Sequence, residues 1–120
     1  MEQKQTELLK DYGMDIDSTL ARFANNEALM MRFLLGFPKD PTMQSLRDAV
    51  AAGDREAMKV AAHSLKGLTG NLGLTPLFEA STQLMNTLRQ TEDDVTDLYV
   101  ITADQYDLAV VMLEQLTALS

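Results

Sequence analysis

The only histidine of the chain, His63, lies in a stretch whose residue types favour a functional role over a place in the core. The stretch covers residues 55–73 and reads REAMKVAAHSLKGLTGNLG. On a helix, residues three, four and seven positions apart share a face. For the histidine these neighbours are Lys59, Lys66, Gly67 and Gly70. The imidazole is therefore flanked by two ammonium groups and by two positions that carry no side chain.

Phosphoryl transfer is the chemistry that best suits an exposed imidazole with cationic neighbours. A free imidazole titrates at about pH 6.5, so it is largely neutral and nucleophilic near pH 7. Phosphoryl transfer needs positioning and charge stabilisation more than it needs an acid or a base. Lys66, three positions after His63, is best placed to offset the charge of a phosphorylated ring, and Lys59, four positions before it, can assist.

The two glycines predict an open flank beside the histidine. Apolar spacing assigns the opposite side of the helix to the core, through Ala57, Ala61, Leu65, Leu68 and Leu72. A glycine inside a helix costs about 1 kcal/mol relative to alanine, and Gly67 and Gly70 on an exposed face bring nothing to the core. We expect both to leave room for the active site of a partner protein.

Other kinds of site are disfavoured. A single histidine without a second histidine or any cysteine is a poor metal ligand set, so we expect no metal and no cofactor. Ser64 adjoins His63, but we expect it to point towards the core side, and the signature of a serine triad is missing. No phosphate-binding glycine loop and no kinase nucleotide motif is present. We therefore expect no enzymatic activity of the chain's own.

Composition limits the possible partners and the compartment. A chain of 120 residues with 46% hydrophobic content predicts one globular domain, residues 1–120. The net charge of −8 argues against nucleic acid and anionic membranes as partners. There is no cysteine, residues 1–10 are polar rather than a secretory signal, and no apolar run reaches the ~18 residues of a membrane span. We expect a cytoplasmic protein that is a monomer.

Apolar periodicity and capping residues predict an all-α fold. The expected helices cover residues 2–12, 18–23, 27–37, 41–52, 55–72, 75–90 and 97–119. They predict short N-terminal helices over about 2–23, followed by an antiparallel four-helix bundle over about 26–119. Whether residues 27–52 form one kinked helix or two is left open, because Pro38 and Pro41 permit both.

The motif resembles the signature of histidine-containing phosphotransfer (HPt) domains. His63-Ser64-Leu65-Lys66-Gly67, followed by Asn71-Leu72-Gly73, is similar to the family's H-x-L-K-G pattern with its downstream glycine. Residues 20–27, with Leu34 and Phe37, resemble the helix that precedes the core hairpin in that family, so the likeness covers most of residues 15–90.

The resemblance implies a four-helix bundle that is phosphorylated on Nε2 of His63. It implies that Lys66 contacts the phosphate, that Gly67 provides clearance, and that the chain relays phosphate between receiver domains whose own aspartate and Mg²⁺ supply the catalysis. Many family members hold the second imidazole nitrogen with a polar residue on the next helix. Met85 takes that position here, a departure from the family, and Gln83 and Asn86 are possible substitutes.

The leading hypothesis is a non-catalytic histidine phosphocarrier of two-component signalling, with a receiver domain, a histidine kinase or both as partners. Two alternatives remain. One is a helical interaction module that binds a receiver or kinase without being phosphorylated. The other is an excised phosphoacceptor domain of a chemotaxis-type histidine kinase, for which an ATP-dependent kinase domain is the donor.

Overall fold

The computed structural model describes all 120 residues, and its regular elements are all helical. There are seven α-helices: α1 (Gln3–Tyr12), α2 (Ile16–Arg22), α3 (Glu27–Gly36), α4 (Thr42–Ala51), α5 (Arg55–Asn71), α6 (Thr75–Gln90) and α7 (Thr96–Ala118). The all-α prediction is confirmed. None of the seven combines the length and the apolar character that crossing a membrane requires.

Side-chain caps fix where several of these helices begin. Asp15, Asn26 and Asp54 each accept a hydrogen bond from a backbone N–H three residues further on, at 3.0–3.1 Å. Such a cap satisfies one of the N–H groups that the first turn of a helix leaves without a partner. These capping residues explain why the predicted starts of α2, α3 and α5 lie close to the observed ones.

Residues 27–52 form two helices, α3 and α4, rather than one kinked helix. A 3-10 turn, Phe37–Lys39, follows α3 and contains Pro38, which cannot donate a backbone hydrogen bond. The chain becomes helical again at Thr42, whose backbone N–H donates to the Asp40 carboxylate at 2.8 Å. This break answers the question, left open by the two prolines, of whether residues 27–52 form one kinked helix or two.

The bundle has four sides, formed by α5, α6, α7 and the consecutive pair α3 and α4. α4 packs on α5, α5 on α6, α6 on α7, and α3 packs against α7. Short turns join α4 to α5, α5 to α6 and α6 to α7, so these consecutive helices run antiparallel. α5 therefore lies diagonally opposite α7, and their outer faces point to opposite sides of the molecule. One continuous cluster of buried apolar side chains runs through the bundle and includes Leu9 of α1.

The two short N-terminal helices brace the ends of the bundle. α1 packs along α7, and α2 lies over the turn between α5 and α6. Arg22 of α2 donates from Nε to the carbonyl of Asn71 at 3.1 Å. Gly73 in that turn has φ +68°, and a Cβ there would overlap the hydroxyl of Thr19. This is a position that both the backbone conformation and the packing restrict to glycine.

The buried side of α5 differs in part from the apolar stripe that spacing predicts. Its fully buried members are Ala61, Ala62, Leu65 and Thr69, and Leu72 follows directly after the helix. Leu68 and Ala57 are only half-buried. Thr69 is tolerated in the core because its hydroxyl donates to the carbonyl of Leu65 at 2.7 Å. The buried arc is displaced because α5 packs between α4 and α6 rather than on a single neighbour.

Candidate functional site

The start of α5 is held firmly by residues of the neighbouring loop. Asp54 caps the helix by accepting from Ala57 N–H at 3.1 Å. Arg55 donates to the carbonyls of Asp93 and Thr91, at 2.8 and 3.0 Å, in the loop between α6 and α7. This anchoring fixes the orientation of α5 in the bundle and with it the direction of every side chain on its outer face.

His63 stands at the midpoint of the 17-residue helix α5, on its solvent side. The side chain is exposed and forms no hydrogen bond and no ion pair with any protein group. Its buried neighbours in sequence, Ala61, Ala62 and Leu65, face the core instead. The ring is therefore accessible to a second protein along the middle of the bundle, as the helical spacing predicts.

The two lysines on this face differ in what they bind. Lys59 donates from Nζ to the Glu56 carboxylate at 2.9 Å, one turn further from His63. Lys66 has no acidic group within ion-pairing distance, because the only two ion pairs of the molecule are Lys59–Glu56 and the N-terminus with Glu27. The side chain of Lys66 is half-buried, so its stem lies along the helix surface. The free ammonium next to the histidine is that of Lys66.

The two glycines also differ from each other. Gly67 is exposed, and a Cβ at this position would meet no atom within 4 Å. It therefore leaves open space on the flank of His63, as expected. The prediction of an open flank is wrong for Gly70. This residue is half-buried, and a Cβ there would lie 3.0 Å from the ring of Phe78 on α6. Its missing side chain allows α5 and α6 to approach closely, so it serves helix packing rather than an open flank.

An exposed valine is the feature of this face that sequence reasoning missed. Val60 lies one turn before His63 and is 69% exposed, the highest value among the large apolar side chains of the molecule. It borders a groove of about 420 Å³ between α4 and α5 whose other walls include Thr42, Ser45 and Ser64. The sequence did contain a signal for Val60. It lies three positions before His63, and this spacing places both residues on one face of the helix.

The predicted orientation of Ser64 is also wrong. This residue is exposed and lines this groove, whereas the sequence predicted that it would point towards the core. The displacement of the buried arc towards Ala62 and Thr69 carries Ser64 out to solvent. The hydroxyl makes no hydrogen bond with the imidazole of His63, so the two residues do not form a nucleophile and base pair.

The second nitrogen of the imidazole has no protein partner. The register between α5 and α6, fixed by the contact of Gly70 with Phe78, brings Met85 opposite His63, and Met85 is buried. Gln83 lines a groove with Ile101 on the far side of α6, towards α7. Asn86 is exposed and forms no hydrogen bond. Neither amide replaces the polar residue that many HPt domains carry at this position.

Comparison with known families gives one finding. The family model of the Hpt domain matches residues 40–119, which are 80 of the 120 residues. The match includes α4 to α7 and every residue of the site, and it leaves α1 to α3 outside, including the upstream residues whose likeness to the family was noted in the sequence. No curated protein and no solved structure matches the chain.

Proposed function

Because the chain belongs to the histidine-containing phosphotransfer family, we propose that it is a phosphocarrier in which His63 accepts a phosphoryl group and hands it on. The donor and the acceptor are aspartates of receiver domains in a multi-step phosphorelay. In this role the chain supplies a nucleophile and a positively charged neighbour. The partner supplies the rest of the active site.

One observation carries this proposal: the single histidine is exposed at the centre of α5, a helix whose start is anchored by Asp54 and Arg55. A histidine that served the core would be packed among apolar side chains, and a structural one would be hydrogen-bonded to the protein. His63 has neither surrounding. An unbonded, exposed imidazole on a rigid helix is what an in-line attack on the phosphorus of another protein requires.

The transfer step is a reversible exchange of one bond to phosphorus for another. The lone pair of Nε2 of His63 attacks the phosphorus of the aspartyl phosphate and forms a P–N bond. The acyl P–O bond breaks, and the aspartate leaves as a carboxylate. The proton stays on Nδ1 until solvent removes it. Lys66 offsets the negative charge of the phosphoryl group on the ring with its unpaired ammonium.

The surroundings of His63 support docking of a second protein. Gly67 leaves space on one side, and the exposed apolar side chain of Val60 offers a contact on the other. Exposed apolar groups beside a polar reactive residue are typical of protein–protein contacts. A receiver domain that seats on Val60 and Gly67 brings its aspartyl phosphate over the imidazole between them.

The test is transfer from receiver domains of the same genome, charged with acetyl phosphate, to the wild-type chain and to His63→Gln. We expect the wild type to gain a phosphoryl group that is lost in acid and kept in base, and the variant to remain unlabelled. The matched control is Val60→Ser, which keeps the nucleophile and removes an apolar docking contact; it should be labelled more slowly but at the same residue.

The same experiment separates the alternatives. A helical module that only binds would form a complex with the receiver through both the wild type and His63→Gln, with no label on either. A phosphoacceptor domain of a chemotaxis-type kinase would take phosphate from ATP and a kinase domain but not from receivers. Either result would reject transfer between receiver aspartates.

A further inference from the structure

The outer face of α7 has the largest concentration of exposed apolar side chains in the molecule. Six large apolar side chains are exposed, and four of them are on this helix: Val100, Ile101, Leu108 and Val111, at 48–57% exposure. Single exposed apolar residues are normal on a protein surface. Four on one helix form a continuous apolar side. Three of them, Ile101, Leu108 and Val111, follow one another at spacings of seven and three residues.

A groove next to this face gives it depth. It has a volume of about 340 Å³ and runs between α1 and α7. Its apolar floor is made by Leu8, Tyr12, Pro76, Leu108, Val111 and Met112. A groove between two helices with an apolar floor is a shape into which a further amphipathic helix can pack.

The α7 edge of this groove carries charges of one sign that have no partners, whereas α1 carries both signs, with Lys4 and Lys10 beside Glu7 and Asp11. α7 contains four carboxylates and no lysine, arginine or histidine in 23 residues: Asp97, Asp104, Asp107 and Glu114. All four are exposed, and none takes part in either ion pair of the molecule. Asp11 of α1 lines the same groove. An apolar groove whose α7 edge carries only acidic groups is complementary to a helix with basic residues on the flank that faces α7.

A second copy of this chain does not meet that description. Two α7 faces brought together would place the same exposed carboxylates against each other, and like charges in an interface are unfavourable. An anionic membrane is disfavoured for the same reason, and the chain as a whole carries −8. The electrostatics therefore select a basic partner.

We propose that the groove between α1 and α7 binds an amphipathic helix of another protein, with leucine-like residues on one side and lysine or arginine on the flank that faces α7. Because α7 lies diagonally across the bundle from α5, this surface and His63 face opposite directions. A partner held here does not compete with a receiver domain at His63. The chain can thus be tethered through α7 while it exchanges phosphate through α5.

The experiment uses the full chain and two synthetic helical peptides of equal length and leucine pattern, one with lysine and one with glutamate at all other positions. Amide chemical shifts of the isotope-labelled protein are followed during titration. We expect the lysine peptide to cause saturable shifts in residues of α1 and α7, weakened by salt. The glutamate peptide should cause none.

Variants decide whether the apolar floor matters. In Leu108→Ser/Val111→Ser, binding of the lysine peptide should fall about tenfold, because two aliphatic contacts are lost. The matched control, Val60→Ser on the opposite face, should bind as the wild type does. Both positions are exposed, so circular dichroism should show an unchanged fold. Shifts confined to the His63 face, no saturable binding, binding indifferent to the double variant, or self-association through α7 would each overturn the proposal.

Discussion

The ammonium of Lys59 lies 2.9 Å from the carboxylate of Glu56, on the side of Lys59 that faces away from His63. This ion pair separates two lysines that the sequence alone treats as near equivalents. One is already engaged with a carboxylate, and the other, Lys66, is free. In the proposed carrier, the negative charge of a phosphorylated His63 would therefore be offset mainly by Lys66.

Replacing Lys66 by alanine should shorten the lifetime of the phosphohistidine or slow its formation roughly three- to tenfold, the effect of losing one partly solvated charge-assisted contact. Lys59→Ala, the matched control, should have a smaller effect because its charge is neutralised by Glu56. Both are measured by the decay of labelled protein after removal of the donor. Equal effects of the two substitutions would contradict the assignment.

The two glycines of α5 should respond in opposite ways to alanine. Gly67→Ala meets no atom and should raise the free energy of unfolding by about 0.5–1 kcal/mol through helix propensity. Gly70→Ala brings a Cβ to 3.0 Å from Phe78 and should lose that gain, since the ring must move. Urea denaturation of both variants measures the difference. A similar gain at the two positions would show that α5 and α6 are not in close contact at Gly70.

A bulky residue at the open flank should block transfer without harming the fold. Gly67→Tyr is expected to lower the rate of phosphoryl transfer from a receiver by at least about tenfold, because the side chain occupies the space over which the partner closes. Gly67→Ala is the control and should transfer at nearly the wild-type rate. Full transfer by the tyrosine variant would mean that receivers approach His63 from another side.

The burial of Tyr12 leads us to predict that the folded protein loses stability at alkaline pH. The hydroxyl of Tyr12 is buried without a hydrogen bond of standard geometry, and burial raises the pKa of Tyr12 to about 12, an effect that the nearby backbone of Leu77 only partly offsets. The pKa of Tyr12 is higher in the folded state than in the unfolded state, where it is about 10. The free energy of unfolding is therefore unaffected below pH 10 and falls as the pH rises from 10 towards 12.

The comparison variant is Tyr12→Phe, which has no group to ionise there. Denaturation curves from about pH 8 to pH 11 should show the wild type losing stability relative to Tyr12→Phe above pH 10, with the lysines cancelling in the difference. Near neutral pH Tyr12→Phe should be at least as stable as the wild type, since the buried hydroxyl forms no hydrogen bond that phenylalanine would lose. Parallel curves over the whole range would show that Tyr12 is solvated.

The helices could be predicted almost to the residue because their signals are local. Asp15, Asn26 and Asp54 act as caps through bonds within their own first turns. The break at Pro38 could not be predicted, because a proline is compatible with a kink and with a stop. The outcome there depends on how α3 and α4 pack on different neighbours, α7 and α5.

The exposure of the central residue of the candidate site could be predicted, but the surroundings of that residue could not. The exposure of His63 follows from helical spacing, whereas the role of Gly70 depends on Phe78, a residue eight positions away on another helix. Helical spacing does not determine which acidic group Lys59 pairs with, so the ion pair with Glu56 could not be predicted. Ser64 was placed wrongly because the buried arc of α5 is set by two neighbours and not by its own apolar residues.

The most direct test of the account identifies the atom that carries the phosphate. The chain is incubated with an acetyl-phosphate-charged receiver domain, and the product is examined by phosphorus NMR and by fragmentation mass spectrometry. We predict a phosphorus–nitrogen resonance, stable in base and lost in acid, that maps to His63 and is missing from His63→Gln. A phosphate on a serine, threonine or aspartate, or no phosphate from any receiver that forms a complex with the chain, would contradict the carrier role.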